Sequence, residues 1–338
     1  MQRDLHKLIR ENKKIIVIHH WDSDGIASAA KILQLNSEAV NYCPRIGLYR
    51  IDNKIMRDLD EIAEGEGRLV ILDWNIPFKD MLRLIDKGYE VIYVDHHYKG
   101  EKLPRDVNIY YKNLEGSPST TWTLTKLLQA KIKLTTIIGI FGDLEERVTK
   151  LELYNKKLLE VMRKNNWRKE DILKLSRRLN MLGQAGERKK VKKAAEKLSK
   201  LEDQLEELLK IEEWIRCEEK VLREIEEIMK MEAMKIGTIR ILKFKSDLNI
   251  TATIARRMAK KYRRELCMAV NLGGRVRELY LRVGEDLERD LTEIIDAMKS
   301  KGYTAGGKRR VMGVQVEKGN IEECLEDALK ILEVKKIG

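Results

Sequence analysis

The chain has little cysteine, and none of it is grouped. Its four cysteines, Cys43, Cys217, Cys267 and Cys324, lie far apart and form no C-x-x-C pair. That excludes a disulfide framework and a thiolate zinc site, and leaves each thiol as a small buried apolar group. Long hydrophobic runs are also missing: none approaches the ~20 residues that span a bilayer. Met1 to Lys14 is charged throughout and lacks the apolar stretch of a secretory signal, which predicts a cytoplasmic protein with no membrane partner. Glycine and proline are scarce in one place. From about Leu144 to Met231 there are two glycines, Gly183 and Gly186, and no proline.

What is present is globular and basic. Hydrophobic residues make up 43 % of 338, enough for two domains and at least one large core. A net charge of +12 favours a polyanionic partner. Charged residues reach 36 % with both signs interspersed, as in thermophile ion-pair networks, and much of the lysine and arginine solvates helices.

Three short β-branched runs, 15–18, 69–72 and 91–94, are separated by helical patterns at Ala27 to Leu35 and Lys79 to Lys87. Strands alternating with helices predict βαβ units and a parallel sheet, with ligands beyond the carboxyl ends of its strands. After Gly186 the spacing predicts one long helix. Its apolar seam from Ala194 to Met229 suits either packing on its own domain or self-association as a dimer or trimer. From Lys235 a smaller α/β domain is expected, with strands at GTIRILKF, LCMAVNL and RVRELYLRV and helices Thr251 to Tyr262, Asp286 to Lys299 and Ile321 to Leu332. Between the last two helices lies a glycine-rich stretch, GYTAGGKRRVMGVQV.

Four of the five histidines fall in two clusters. His19-His20-Trp21-Asp22-Ser23-Asp24-Gly25 follows the first strand, Asp95-His96-His97 follows the third, and Asp73 follows the second. Continued strand alternation would put His20, Asp22 and Asp24 on one face and His19, Trp21 and Ser23 on the other. An imidazole and two carboxylates converging there would repel without a cation. Nitrogen and oxygen donors without thiolate suit Mn²⁺, with Mg²⁺, Co²⁺ or Zn²⁺ also admitted. Asp143, in Gly142-Asp143-Leu144, offers another carboxylate, or a simple helix N-cap. Trp21, Trp74 and Tyr98 lie near the clusters, as core packing or as a surface on which a base stacks.

H-W-D-S-D-G, L-D-W, V-D-H-H and F-G-D, in this order, resemble the four motifs of the DHH phosphoesterase superfamily. That superfamily includes RecJ-type exonucleases, nano-RNA and cyclic-dinucleotide phosphodiesterases, and family II pyrophosphatases. The resemblance implies a DHH catalytic domain at 1–185, a connecting helical segment at 186–234 and a DHH-associated substrate-binding domain at 235–338. It implies two divalent ions. His20, Asp22 and Asp73 would hold one; Asp24, Asp73, His96 and Asp143 would hold the other. His97 would face the substrate phosphate, with Asp95 orienting the histidine pair. In the DHH-associated domain it implies substrate contacts from Arg282 and from the loop Gly306, Gly307, Lys308, Arg309 and Arg310. Lysine stands there where the family pattern G-G-H-x-x-A-A-G has histidine, and Val311-Met312 replaces the alanine pair.

The layout is most similar to short archaeal RecJ-like proteins, the Hef-associated nuclease type among them. This implies an exonuclease on single-stranded nucleic acid in DNA repair or replication, leaning to 3′→5′ on DNA, with a repair helicase or nuclease as a protein partner. A phosphodiesterase for nano-RNA, cyclic dinucleotides or phosphoadenosine phosphate is the alternative. A non-catalytic replication or repair scaffold is a third reading, at odds with the full set of metal-ligand residues.

Overall fold

The computed structural model describes residues 4–63, 66–97, 117–150, 152–274, 277–316 and 320–334. Tyr98 lies outside them. Two compact units emerge: Met1–Gly183 with Glu187–Glu218, and Gln184–Gly186 with Glu219–Gly338. The segment 186–234 is thus shared between them. No helix among the described residues is long and apolar enough to cross a membrane.

The first unit opens with α1 (Leu5–Arg10) and is built on β1 (Ile15–His19), β2 (Val40–Tyr42), β3 (Arg68–Leu72) and β4 (Glu90–Val94). These pair all-parallel in the order β2-β1-β3-β4. Parallel neighbours cannot be joined by a tight turn, so helices link them. These are α2 (Ser23–Leu35), α3 (Asn53–Ala63) and α4 (Phe78–Asp86). β1 and β3 are buried along their whole length, which explains their unbroken apolar runs. β2, only three residues long, escaped the sequence reading.

From β1 the chain moves to one side of the sheet to form β2, and then to the other side for β3 and β4. The carboxyl ends of β1 and β3 therefore flank a topological switch point, where open α/β sheets bind ligands. His19 ends β1 and Asp73 follows β3.

The remaining helices of this unit are α5 (Thr120–Leu127), α6 (Leu134–Leu144), α7 (Glu152–Lys164), α8 (Lys169–Gln184), α9 (Arg188–Lys200) and α10 (Leu205–Leu209), with α11 (Glu212–Lys230) running across the boundary between units. The single long helix expected after Gly186 is therefore three helices. The break at 201–204 has a tertiary cause. Asp203 accepts a hydrogen bond from the Leu134 backbone N–H at the start of α6, 3.3 Å away, and Glu202 pairs with Lys133. Satisfying the orphan donors of another helix outweighs the modest propensity that would continue this one. Ala194, Leu198, Leu205, Leu208 and Ile225 of the expected seam are buried within the chain itself.

The second unit is a six-stranded mixed sheet, order β5-β6-β7-β8-β10-β9. Its strands are β5 (Met234–Ile236), β6 (Ile239–Phe244), β7 (Leu266–Asn271), β8 (Arg277–Val283), β9 (Thr304–Lys308) and β10 (Val311–Val316). Its helices are α12 (Thr251–Lys261), α13 (Thr292–Ser300) and α14 (Ile321–Val334). One core gathers Met268, Leu281, Ile294, Met298, Val314 and Leu325. The α/β class is as expected, with two corrections. The helix expected from Asp286 starts only at Thr292, because Asp290 accepts hydrogen bonds from the Thr292 N–H and hydroxyl. The glycine-rich loop is a β9–β10 hairpin turning at Arg309-Arg310.

Candidate metal centre

Asp22 departs from the strand alternation expected of it. The strand ends at His19, Asp22 is the N-cap of α2 with its side chain accepting from the Gly25 N–H at 2.9 Å, and Asp24 is already helical. A helix turn, rather than a continued strand, aims the two carboxylates. Asp143 departs too: it sits in the last turn of α6 and caps nothing. Its helix reaches the centre because of two glycines one turn apart. A Cβ on Gly139 would stand 2.3 Å from Asp24 Oδ1, and one on Gly142 would stand 1.7 Å from Ser23 Oγ. Only bare backbone lets α6 lie that close to α2.

His20, Asp22, Asp24, Asp73, Asp95, His96, His97 and Asp143 all converge at the carboxyl edge of the parallel sheet. Three overlapping sets place donor atoms within 4.8 Å of one another: Asp73, Asp95, His96 and His97; His20, Asp22 and Asp73; Asp24, His96 and Asp143. Asp73 is central. It lies 3.8 Å from His20 Nδ1, 3.6 Å from His96 Nε2 and 4.0 Å from His97 Nδ1. Its φ of 57° is one that non-glycine residues seldom adopt, a strain concentrated at the residue every set leans on.

The donor atoms fit a cation. His20 Nδ1 stands 2.7 Å from Asp22 Oδ2, and His96 Nε2 stands 3.0 Å from Asp143 Oδ2. Yet His20 Nδ1, His96 Nε2, Asp73 Oδ2 and Asp143 Oδ2 are all buried without a hydrogen-bond partner. Close approach without hydrogen-bond geometry is what atoms do when they aim at a shared point between them. Four orphaned polar atoms in one place would cost several kcal/mol unless something charged satisfied them.

Electrostatics says the same. Burial, then the neighbouring Asp143 charge, pushes Asp24 up to about 7. Burial and the charges of Asp24, Asp22 and Asp143 hold Asp73 well above the usual carboxylate range. Burial opposes the charge on His96, but Asp143 and Asp24 outweigh it and raise the imidazole to about 9. Without a cation the carboxylates can share the site only by taking up protons.

Asp95 is bound differently. Its Oδ2 accepts from the Tyr93 hydroxyl at 2.5 Å, and its Oδ1 accepts from His97 Nδ1 at 2.7 Å and from the His97 backbone N–H at 2.9 Å. Fully buried, it orients His97, which is one-third exposed. His19 is buried beside the cluster. Burial lowers its imidazole to about 4, and Nδ1–H donates to the His20 carbonyl at 2.6 Å. Trp21 and Trp74 are both core residues.

Residues 14–161 match the family model described as the DHH family, N-terminal domain. The chain is a DHH-family protein. A comparison with curated sequences gives no match. Among solved structures the chain is similar to the DHH domain of a protein described as belonging to a family of ribosomal proteins, with 16 % identity, TM-score 0.67 and coverage of 97 % of this chain and 88 % of that one. It is similar to exonuclease RecJ bound to manganese, with 16 % identity, TM-score 0.65 and 96 % and 92 % covered. It is also similar to the pGpG-specific phosphodiesterase PggH of Vibrio cholerae, with 14 % identity, TM-score 0.50 and 96 % and 100 % covered. At these identities the likeness is one of fold: the RecJ-like arrangement of the DHH phosphoesterase superfamily.

The DHH motifs are not the whole centre. The N-terminus of α5 supplies what they lack. Thr120 and Thr121 donate backbone N–H bonds to Asp24 at 2.6 and 3.0 Å, and the Thr120 hydroxyl donates to Asp73 Oδ1 at 2.9 Å. Ser119 caps this helix, accepting from the Trp122 N–H. Ser-Thr-Thr before an apolar run is a helix-start signal, so the helix was legible but its target was not. Tyr49 also went unread; its hydroxyl lies 3.3 Å from His20 Nε2.

The expected substrate residues lie in the second unit. Arg282 sits on β8 opposite Val311. Gly306, Gly307 and Lys308 form β9, and Gly307 passes so near Val311 that a Cβ would stand 2.1 Å from its carbonyl oxygen. Two of the three hairpin cations are engaged. Arg309 Nε donates to Asp290 at 2.9 Å, and Arg310 donates to the carbonyls of Gly284 and Leu287 at 2.6 and 3.0 Å.

Proposed function

We propose that this DHH protein is a metal-dependent phosphodiesterase that trims single-stranded nucleic acid, with a lean to 3′→5′ cleavage of DNA in repair or replication. The observation that carries the reading is the set of buried, unpartnered nitrogen and oxygen atoms meeting around Asp73. His20, Asp22 and Asp73 would hold one divalent ion, and Asp24, Asp73, His96 and Asp143 a second, Mn²⁺ by preference. Two such ions supply an activated water and neutralise charge gathering on the phosphoryl oxygens. The protein's own groups do the rest. Asp73 serves both ions, Thr120 and the α5 N-terminus fix the carboxylates, and Asp95 sets His97 to face the scissile phosphate. The net charge of +12 suits a polyanionic chain, and Arg282 with Lys308 would meet its backbone in the DHH-associated domain.

A second reading has its own support. The PggH likeness spans that whole chain, so the same two-unit layout serves a dinucleotide phosphodiesterase. Incubating the protein and Mn²⁺ with end-labelled twenty-nucleotide DNA and RNA, and separately with a dinucleotide, distinguishes the two. Processive shortening of the long DNA from its 3′ end is expected, with little turnover of the dinucleotide. Preference for the dinucleotide favours the second reading, and absence of metal-stimulated cleavage of any of them removes both.

A further inference from the structure

Tyr49 is the only strongly exposed aromatic side chain among the described residues, at 45 %, and it stands against the metal centre. Its placement is built. Leu48 on one side of it is buried, and its carbonyl accepts from the buried Trp74 Nε1 at 2.8 Å. On the other side, buried Ile51 donates its N–H to Asp80 at 2.9 Å and accepts from Arg83 at 2.8 Å. A loop pinned this firmly could have turned the ring inward. It turns the ring outward, with the edge toward Trp21 at 5.1 Å and the His20 ring at 5.8 Å between centroids.

The contact with His20 defines a chemical role. His20 Nδ1 points at the carboxylates of Asp22 and Asp73, so its lone pair is the one available to a metal. The ring proton must then sit on Nε2, and the neighbour of Nε2 is the Tyr49 hydroxyl at 3.3 Å. A metal-bound histidine is normally oriented through its other nitrogen by a carboxylate or a carbonyl. Here the acceptor is a phenol whose ring remains open to ligand. Base stacking on such a ring is sequence-tolerant, because every base has a π-face. Arg45 and Arg50 flank the ring in sequence and add positive charge for the adjoining phosphates.

We infer that Tyr49 is a two-part device: its hydroxyl positions His20 for metal, and its ring stacks the terminal nucleobase of the bound strand. The stacking half rests on the nucleic-acid reading above; the His20 half does not. In the first half Nε2–H donates to the tyrosine oxygen and fixes the imidazole tautomer. In the second, the base lies beside the ion pair's protein ligands, within a nucleotide's own length of the scissile phosphate.

Two substitutions separate the halves. Tyr49→Phe keeps the ring and removes the hydroxyl; Tyr49→Ala removes both. Mn²⁺ affinity is measured by calorimetry without nucleic acid, and binding of a twelve-nucleotide DNA is measured in EDTA, where nothing is cleaved. The DNA is used intact and with an abasic terminal nucleotide, and circular dichroism melting checks the fold. Tyr49→Phe is expected to weaken Mn²⁺ roughly tenfold, the scale of lost outer-shell partners, and to leave DNA binding intact. Tyr49→Ala is expected to weaken Mn²⁺ similarly and DNA roughly 5- to 150-fold, the range of one lost base stack. It should also no longer distinguish the abasic end.

Wild-type Mn²⁺ affinity in Tyr49→Phe overturns the positioning role. A Tyr49→Ala variant that still discriminates the abasic end overturns the stacking role. A wild-type protein that binds DNA in this way but cleaves no phosphodiester refutes the nuclease reading while leaving the stack standing. One that binds no DNA at all refutes the stack, and the Mn²⁺ titration alone then decides the hydroxyl.

Discussion

The strand ends of the parallel sheet and the β9–β10 hairpin both gather charge, and they dispose of it in opposite ways. At the strand ends, nitrogen and oxygen atoms approach to 2.7–3.0 Å and leave one another's hydrogen-bonding capacity unused. In the hairpin, Arg309 and Arg310 are consumed by Asp290 and by backbone carbonyls. A cluster awaiting a ligand shows unfinished bonds; a cluster serving the fold shows finished ones. Residue type alone does not tell the two apart, because both regions read equally well as binding sites in one dimension.

The comparison breaks most sharply at Asp73. If the strand-end atoms are unfinished because a metal completes them, Asp73→Ala should loosen every ion held there and cut Mn²⁺-dependent hydrolysis by several orders of magnitude. The fold should survive, since the residue lies beyond β3 and carries backbone strain that alanine does not require. Retention of more than roughly a tenth of the activity, with a normal melting curve, would show that the cluster is not a metal site.

Thr120 is the next largest lever. Thr120→Val keeps the shape and removes the hydroxyl bonded to Asp73. Lost outer-shell partners typically cost 10–100-fold in metal affinity, and that range is expected by calorimetry. Thr120→Ser should restore most of it. Equal affinity in all three would mean that α5 only packs here.

A third test uses pH. Asp24 and Asp73 are raised in the folded protein above ordinary carboxylates, Asp24 to about 7. A group whose folded pKa is raised contributes stability that is complete below the unfolded pKa and is lost as pH climbs through the folded one. His96, raised to about 9, acts in the same direction at higher pH. The metal-free protein should therefore lose melting temperature between about pH 4 and 7, on the order of a few degrees. Asp24→Asn should flatten that decline, and Mn²⁺ should offset it by binding the charged form. A melting temperature in EDTA that rises steadily from pH 4 to 7, with no difference in Asp24→Asn, would contradict the crowding of carboxylates.

How much of this was legible follows the same division. Parallel strands at 15–18, 69–72 and 91–94 were readable because burial on both faces writes an unbroken apolar run. The ligands were readable because strand ends at a switch point are where polar residues must serve a ligand. What the sequence concealed is tertiary. The break at Leu201–Gln204 depends on Asp203 reaching the N-terminus of α6, and the aim of Asp24 depends on α5. Tyr49 had no motif around it; only its exposure beside His20 distinguishes it. The hairpin arginines misled for the reverse reason: their partners lie on the 284–291 loop, distant in sequence.

The smallest effect belongs to Lys308, and it tests whether the hairpin retains any ligand role once its arginines are committed. Lys308 is exposed on β9, next to the close pass of Gly307 under Val311. Neutralising all three hairpin cations at once would confuse stability with binding. Arg310→Ala strands the carbonyls of Gly284 and Leu287 and should lower stability by about 1–3 kcal/mol, the range for hydrogen bonds to a charged donor. Lys308→Ala breaks no such bond, so its melting curve should match the wild type. If Lys308 meets a phosphate, each lost contact should flatten the salt dependence of single-strand binding by about 0.7 units of log K per log salt. Binding to a DNA twelve-mer at a series of salt concentrations, with EDTA present, measures that slope. An unchanged slope would make the whole hairpin structural and move the grip on the strand to Arg282 or to the basic helix α9. There Arg188 is already spent, donating to the Cys43 carbonyl and lying over the Tyr42 ring at 4.7 Å, so Lys189 and Lys193, both exposed, would be the residues to replace.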